Sequence, residues 1–404
     1  MRVLVVTFLE SFATIAVERG VYFYAHEHLR FSDARRLWLA LVFGLMYVAG
    51  ALMSHRLAAR GREKTLLLIT VVAQIAVHGG LAVWTWPVVL FVGKAALGWL
   101  NGLKWPVIES YVTAGRNAAE TSRAVGRFNV TWGSTVPLSL LVVGPVIDRW
   151  PVGLFVLAGA MNAASLCLVF GLAASPPYLP HDHPDQPTGP QRARFGVLLV
   201  SSRWLMLAGY ALMWVLAAVL PRVFSDLGCH VRWSPALSGI MDAVRLAAFL
   251  TLGVWAGWHG RLSPLVLALL GLSGGFFLAI FAPDLAAGRG EAVGLICVLT
   301  GEVLFGAAIG TVYTSALYYA MVVKSAAVDA GGGHEAMIGS GFALGPGAEL
   351  VGIALVPVLH SHIVGTLAGV GPLILLCAVG AAWGVIRSRD VMFSRSQTSK
   401  PRRS

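Results

Sequence analysis

The chain consists of long apolar runs separated by short polar segments. A helix of about 20 mostly apolar residues is long enough to cross the hydrocarbon core of a bilayer. Proline and glycine inside such runs do not oppose this, because neighbouring helices satisfy the backbone groups that they free. The pattern predicts twelve spanning helices, at residues 3–25, 36–57, 65–86, 87–111, 126–148, 151–174, 204–224, 235–257, 263–283, 291–323, 336–359 and 364–386.

Short motifs recur in the same order about 200 residues further along the chain. The paired motifs are His28–Ser32 with His230–Ser234, Gly61-Arg62 with Gly260-Arg261, Lys94-x-x-x-Gly98-x-x-x-Gly102 with Glu302-x-x-x-Gly306-x-x-x-Gly310, and Pro145-Val146 with Pro357-Val358. A duplicated unit of this length in an apolar chain is typical of transporters built from two related bundles. We therefore predict an all-α polytopic membrane protein in which the twelve helices form two pseudo-symmetric six-helix bundles.

The two halves have clear boundaries. The first bundle is predicted at 1–174 and the second at 197–386. Between them, residues 175–196 are rich in proline and polar side chains and predict a cytoplasmic linker. Residues 387–404 are basic and predict a disordered cytoplasmic tail.

Composition points to lipid as the main solvent. Hydrophobic residues make up 57% of the chain and charged residues 12%, against about 25% charged in soluble domains. The mean hydropathy is +0.75. The net charge of +11 does not indicate a nucleic-acid partner, because the basic residues lie in short loops and in the tail, without a nucleic-acid-binding motif.

The distribution of basic residues predicts the orientation. Arginine and lysine are concentrated in the loops on the side of the two termini, as in Arg56, Arg62 and Lys64. By the positive-inside rule, both termini are cytoplasmic. We expect a multi-pass monomer in a plasma membrane, here the inner membrane of a bacterium.

Motifs for chemistry on a cofactor or metal are missing from the sequence. It has no phosphate-binding loop, nucleophile elbow or zinc-ligand spacing, so we expect no cofactor, no metal and no catalytic residue. The pair His181 and His183 lies in the linker and is expected to be solvated. A small solute, protons and the lipid bilayer are the expected partners.

Two loops carry a resemblance to a known family. Ser54–Lys64, with Gly61 and Arg62, and Gly253–Arg261, with Gly260 and Arg261, resemble the Gly-x-Leu-Ala-Asp-Arg-x-Gly-Arg loop of the major facilitator superfamily. Each lies where that family has its loop, between spans two and three and between spans eight and nine. The motif's aspartate is Ala58 in the first loop and Gly257 in the second. In the family this acid helps to latch the cytoplasmic side closed, so the resemblance implies a weaker or different latch in these cytoplasmic gate loops.

Further motifs extend the resemblance along the chain. Lys94 and Gly98 are similar to the family's Arg-x-x-x-Gly helix motif, and Gly341–Pro346 resembles its glycine–proline motif. Val17–Tyr24 is similar to the first helix of proton-coupled oligopeptide transporters, which belong to the same superfamily, although Ile15 replaces the first glutamate and Gly20 the phenylalanine. The resemblance implies a twelve-helix transporter whose spans one, four, seven and ten line a central cavity.

Charged side chains inside the predicted spans mark the candidate site. A charge at the bilayer centre costs about 2.5–3.5 kcal/mol, so it must face protein or water. Glu18 and Arg19 on span one form either a proton-binding site with Tyr22 or a static ion pair. Lys94 and Glu302 occupy equivalent positions in the two repeats and either meet across the bundle interface or are paired within their own halves.

The remaining charges are assigned by their neighbours. Asp242 and Arg245, three residues apart on one helix, are expected to satisfy one another. Glu349 follows a bend-prone Gly-Pro-Gly segment and is a further candidate for proton coupling. The residues expected to contact solute are Tyr22, Asn101, Lys104, Trp105, Tyr210, Trp214 and Tyr313.

The sequence thus predicts a secondary active transporter that moves a small solute by alternating access. Proton coupling through Glu18 or Glu302 is the expected energy source, since no nucleotide-binding motif is present. Uptake of a small polar or peptide-like solute and proton-driven efflux of amphipathic compounds remain alternatives. A polytopic membrane enzyme is a third, although its usual clusters of interfacial histidine and acid are not found in these short loops.

Overall fold

The computed structural model describes residues 1–58, 62–113, 118–176, 189–324 and 328–388. These residues form long helices joined by short turns. The helices are α1 (Arg2–Glu27), α2 (Asp33–Ala58), α3 (Glu63–Val83), α4 (Pro87–Thr113), α5 (Ala118–Arg149), α6 (Gly153–Val169), α7 (Gly189–Asp226), α8 (Ser234–Ser238), α9 (Ile240–Val254), α10 (Ser263–Ile280), α11 (Ala282–Ala286), α12 (Glu291–Lys324), α13 (Val328–Leu359) and α14 (His362–Arg387).

Each predicted span corresponds to a helix, with span eight divided into α8 and α9 at Gly239. Within the described residues, nine helices are long and apolar enough to cross a membrane, and Gly153–Val169 is apolar but shorter. The long helices α1 and α4 are outside that set and carry five buried charges of the first half, Glu10, Glu18, Arg19, Lys94 and Lys104. Lipid favours helices throughout, because a helix satisfies its backbone hydrogen bonds internally.

The predicted repeat is visible in the packing. Gly98 and Gly102 of α4 lie against the carbonyl oxygens of Phe43 and Tyr47 on α2. Their counterparts in the second half, Gly306 and Gly310 of α12, lie against backbone atoms of Met241 and Arg245 on α9. Small residues at these positions allow the helix backbones to approach closely. The equivalent glycines therefore make equivalent helix contacts in the two halves, α1–α6 and α7–α14.

Some predicted boundaries differ from the structure. Helix α7 begins at Gly189, within the predicted linker. The linker residues 177–188 and the tail from 389 lie outside the described residues, as does the pair His181 and His183.

Several helix pairs join the bundles, chiefly those of α2 and α5. Helix α2 packs along α13, and α5 packs against α8 and α9. Gly44 lies against the backbone at Phe342, and Gly144 lies against the carbonyl oxygen of Arg232.

The two ends of the molecule are named after α1. The terminal face is the one at which α1 begins, and the distal face is the one at which α1 ends.

Substitution of Gly345 tests how tightly the second bundle is packed. A Cβ at Gly345 would overlap the carbonyl of Ala211 on α7, whereas a Cβ at Gly347 would lie 3.8 Å from its nearest neighbour, Leu41 Cδ1. We expect Gly345→Ala to lower the free energy of unfolding by about 1–3 kcal/mol. Gly347→Ala is the matched control and should be neutral or stabilising, because alanine favours a helix over glycine. SDS-induced unfolding of the detergent-solubilised protein measures both, and equal effects would contradict this packing.

Candidate functional site

A cavity lies between the two bundles. Helices α1, α2, α4 and α5 of the first bundle and α7, α9, α12 and α13 of the second contribute to its wall. The predicted site residues that line it are Glu18, Arg19, Trp105, Tyr210, Trp214 and Tyr313. The interface between two repeats is where transporters built from such repeats bind solute.

Four of the predicted site residues lie behind this wall, inside the first bundle. Tyr22, Lys94, Asn101 and Lys104 are all buried and do not line the cavity. The sequence predicts that Lys104 contacts solute, but in this structure its ammonium group is enclosed by partners from its own bundle.

A chain of hydrogen bonds fills the interior of the first bundle. Lys104 Nζ donates to Glu10 at 2.7 Å, to Gln74 at 3.0 Å and to Thr14 at 3.2 Å. Asn162 also donates to Glu10, at 3.0 Å. The full satisfaction of Lys104 explains how α4 carries a buried charge, because a buried ion pair needs additional hydrogen bonds to offset its desolvation.

Asn101 connects this network to the cavity. Its side-chain oxygen accepts from Thr14 at 3.2 Å and from Gln74 at 2.8 Å, and its Nδ2 donates to Glu18 at 3.0 Å. Glu18 in turn faces the cavity. The amide thereby orients the carboxyl group that had been predicted as a proton-binding site.

Lys94 has a different environment from Lys104, although both lie on α4. Its Nζ has no hydrogen-bond partner among the described residues. It lies 4.2 Å from the ring centroid of Phe43 and 5.3 Å from that of Tyr22. An aromatic face attracts a cation but replaces only part of its hydration.

Lys94 and Glu302 do not pair in this conformation. Both carboxylate oxygens of Glu302 lack a hydrogen-bond partner within the described part of the chain. Glu302 interacts electrostatically with Arg19 and Asp242. Lys94 interacts electrostatically with Glu18 instead. The two equivalent positions therefore face different groups.

An ion pair crosses the bundle interface at the cavity wall. Arg19 of α1 lies 3.0 Å from Asp242 of α9, which also bonds Arg245 at 2.7 Å. The sequence predicted the Asp242–Arg245 pair but not the third member. All three side chains are at most 3% exposed, so they link α1 to α9 inside the protein.

Two carboxyl groups from opposite bundles meet at the terminal side of the cavity. Glu109 of α4 and Glu335 of α13 share a side-chain hydrogen bond. The hydroxyl of Tyr47 on α2 donates to Glu335. All three side chains line the cavity. Because an ionised carboxylate only accepts hydrogen bonds, a proton held between the two carboxyl groups would join them.

Aromatic rings form much of the remaining wall. Trp214 stacks on Phe342 with ring centroids 3.9 Å apart. Trp132 meets Tyr313 edge to face at 5.3 Å, and the guanidinium of Arg245 lies 4.8 Å from the Trp132 ring. Such a wall presents an apolar surface with a few polar edges, which suits a solute with an apolar body.

The bundles also contact one another on the distal side of the cavity. Asp33 at the start of α2 bonds Arg36 on its own helix and Arg222 of α7, the latter at 2.6 Å. Arg36 Nε donates to the carbonyl oxygen of Ala218 on α7 at 2.7 Å. Ionic contacts thus join the bundles beyond the distal end of the cavity.

Removal of the bridging carboxylate tests this distal contact. In Asp33→Asn, Arg36 and Arg222 lose the charge between them, so we expect the distal ends of the bundles to separate more often. Spin labels at Arg149→Cys and Asp284→Cys, both exposed on the distal face, would then report a larger population of long distances. Asp226→Asn is the control, because Asp226 bonds Arg222 within α7. An unchanged distance distribution in Asp33→Asn would refute this role.

The other predicted residues lie outside the cavity. Glu349 is buried and accepts a hydrogen bond from Thr366 at 2.8 Å within its own bundle. Gly260 has a φ of +69°, which favours glycine, and its N–H donates to Tyr319 at 3.0 Å. Arg62 and Arg261 are exposed on the terminal face. Gly61 lies outside the described residues.

The most important residue that the sequence analysis missed is Glu335. The predicted span begins at 336 and excludes Glu335, whereas α13 begins at Val328. The signal was present in the glycine-rich segment Gly331–His334, which continues the helix because membrane helices tolerate glycine. In the described part of the chain, histidine, cysteine and acidic residues form no group suited to a metal ion.

Comparisons with known proteins agree with this architecture. The family model of the Major Facilitator Superfamily matches residues 4–346. A POT family transporter in complex with 5-aminolevulinic acid superposes with a TM-score of 0.72 at 12% identity, covering 96% of each chain. The nucleoside transporter NupG gives a TM-score of 0.63 at 15% identity, covering 98% of each chain.

A third solved structure shares the fold over the same extent. It is a bacterial homolog of the human lysosomal transporter Spinster, in an inward-facing and unoccupied conformation. Its TM-score is 0.65 at 15% identity, covering 98% of each chain. No curated protein sequence matches the chain.

Proposed function

The chain belongs to the Major Facilitator Superfamily, and from this premise we propose that it is a proton-coupled secondary transporter of a small solute that works by alternating access. We further propose that it resides in the inner membrane of a bacterium as a monomer, with both termini cytoplasmic. The fold and its transporter neighbours support transport over catalysis, since the cavity has the position that such folds use for solute.

The observation that carries proton coupling is the Glu109–Glu335 pair. Its members come from opposite bundles, both line the cavity and interact with one another, and a proton between them would join the two carboxyl groups. No described lysine or arginine lies within salt-bridge distance of Glu335. Loss of the shared proton would leave two carboxylates in contact, which repel.

This arrangement supports alternating access in a simple way. The bundles touch on the distal side through Asp33 and Arg222, and on the terminal side through Tyr47, Glu335 and Glu109. Access from one face requires one set of contacts to break while the other holds. A proton that strengthens the terminal set therefore biases the equilibrium between the two states.

Glu18 and Glu302 remain proposed proton carriers. Glu18 lines the cavity and is oriented by Asn101, and Glu302 is fully buried without a hydrogen-bond partner among the described residues. Buried ionisable groups in a membrane are candidates for proton relays. Both carboxyl groups also interact electrostatically with Arg19, the partner of Asp242.

A thermal-shift screen of the purified protein followed by counterflow in proteoliposomes tests the proposal. Any compound that stabilises the protein is loaded into vesicles, and its exchange is compared with its accumulation under an imposed pH gradient. We expect Glu335→Gln and Glu302→Gln to keep exchange but to lose gradient-driven accumulation. If the wild-type protein exchanges solute but never accumulates it under a pH gradient, proton coupling is wrong. If all glutamate variants accumulate solute normally, these carboxyl groups do not carry the proton.

A further inference from the structure

The two arginines of the cavity share one carboxylate. Asp242 bonds both Arg19 and Arg245, and the three side chains are almost completely buried. Two positive charges and one negative charge leave a surplus positive charge unless another acid neutralises it. A surplus charge in a site with little water is costly, and an anion that enters the cavity relieves the cost.

Arg245 has hydrogen-bond donors left over. Its Nε has no partner among the described residues, and its Nη1 donates to the sulfur of Met213 at 3.7 Å, which is a weak acceptor. The side chain is 3% exposed and lines the cavity. A guanidinium presents a fork of donors that matches a carboxylate, so a buried one with unused donors favours an acidic group.

The other acids of the cavity do not cancel this surplus. Glu18 interacts mainly with Lys94 and Lys104 and less with Arg19, so it offsets only a small part of the positive charge beside Asp242. Glu335 is engaged with Glu109 and Tyr47 on the terminal side. The net charge of the cluster around Arg19 and Arg245 therefore depends on Asp242 and on one further acidic side chain.

That further group is Glu302, which lies in the field of Arg19 and Asp242. With Glu302 ionised, the four side chains have no net charge; with Glu302 protonated, they carry one positive charge. The other helices that pack on α12 place few titratable groups near this cluster. Helix α10 carries none, and α7 contributes Tyr210 to the cavity. Asp284 of α11 lies at the exposed distal surface, and His334 and Glu335 lie at the terminal end of α13.

We propose that Arg245, together with Arg19, binds the carboxylate of an organic anion, and that the anion is carried with a proton on Glu302. The proposal rests on the proton-coupled transport proposed above and names its substrate class. Proton and anion bind more tightly together than alone, because each offsets the charge that the other creates, and this coupling is reciprocal.

The rest of the cavity describes the body of this anion. Trp132 lies beside Arg245, and the stacked pair Trp214 and Phe342 contributes another part of the wall. Rings at these positions contact flat or apolar groups well. An aromatic monocarboxylate therefore fits both the charge and the wall.

Matched probes test the proposal on the full-length protein in nanodiscs. Indole-3-propionate, indole-3-propionamide and tryptamine carry the same ring with a negative, a neutral and a positive group, and benzoate with benzamide forms a smaller pair. We expect the two acids to bind at least about tenfold more tightly than their amides, and tryptamine not to bind. Calorimetry in two buffers of different ionisation enthalpy should show the uptake of about one proton per acid.

Variants separate the roles of the residues. Arg245→Gln should lose the preference for acids, Arg245→Lys should retain part of it, and Glu302→Gln should bind acids without proton uptake. Arg232→Gln is the control, since Arg232 also lies over a tryptophan ring, at 5.2 Å, but is outside the cavity. Size-exclusion profiles and melting temperatures report whether each variant is folded.

Three results would overturn the proposal. They are equal binding of acids and amides, failure of both acids to bind, and an acid preference that survives in folded Arg245→Gln. These outcomes differ from a failure of the proposed function. Acid binding with proton uptake but without transport would leave the site standing and refute the transporter. Proton-driven transport of a solute without an acidic group would support the transporter and refute the anion site.

Discussion

Glu335→Gln is expected to abolish the response of the terminal face to pH. In the proposed mechanism, a proton shared by Glu109 and Glu335 holds the terminal ends of the bundles together. At alkaline pH both become carboxylates and repel, so the terminal ends of the bundles separate. A glutamine at 335 donates its amide hydrogen to Glu109 at every pH, so the contact persists.

Distances between spin labels on the terminal face measure this effect. Arg123→Cys on α5 and Gly253→Cys on α9 are exposed, and a Cβ at Gly253 meets no neighbour within 4 Å. The labels require a background without the native cysteines Cys167, Cys229, Cys297 and Cys377. We expect a long-distance population that grows with pH in the wild-type protein and is missing from Glu335→Gln.

Two further variants make the result decisive. Glu109→Gln should behave like Glu335→Gln, because either amide replaces the shared proton. Glu291→Gln removes an exposed carboxyl group at the start of α12, far from the pair, and should respond to pH like the wild type. A pH response of Glu335→Gln and Glu109→Gln that equals that of the wild type would show that the pair does not control the terminal face.

Lys104→Met is expected to destabilise the first bundle strongly. The ammonium of Lys104 bonds Glu10, Thr14 and Gln74 and is fully buried, as is Glu10. Its removal leaves the Glu10 carboxylate without its counter-charge, which costs about 3–5 kcal/mol. The midpoint of SDS-induced unfolding in mixed micelles should fall accordingly.

Lys94 provides a matched control on the same helix. It is as deeply buried as Lys104, but its ammonium has no hydrogen-bond partner in the described residues. Lys94→Met should therefore be neutral or stabilising, because it removes a desolvated charge without stranding a bonded partner. The double variant Glu10→Gln/Lys104→Met should recover most of the loss. Equal destabilisation by Lys94→Met and Lys104→Met would contradict this account of the network.

Opposite effects of the two substitutions on stability would show that Lys94 destabilises this conformation whereas Lys104 stabilises it. A group that costs stability in one conformation is retained where another state or a bound partner satisfies it. The cation–ring contacts with Phe43 and Tyr22 hold Lys94 in the present state. The sequence singled out this lysine, but only its surroundings distinguish it from Lys104.

Several features of the candidate site could be predicted from sequence because they are local. Glu18, Arg19, Trp105, Tyr210 and Tyr313 line the cavity, and each was identified from a polar or aromatic side chain within an apolar run. Lipid makes such residues conspicuous, since an unneeded charge there is strongly unfavourable.

The partners of these residues could not be predicted, because they lie far apart in the chain. Arg19 meets Asp242 across 223 positions, and Tyr47 meets Glu335 across 288. Helical spacing predicts neighbours three and four residues away; it correctly paired Asp242 with Arg245 and was silent on Arg19.

The sequence by itself determined that this protein is a duplicated bundle of membrane helices, because the length of apolar runs and the recurrence of glycine motifs are properties of short segments. Only the tertiary structure decided which charges face the cavity, which are satisfied within a bundle and which bridge the two. The physical reason lies in the packing. Close contacts at residues such as Gly98 and Gly306 fix the rotation of each helix, and that rotation sets the partner of every buried charge.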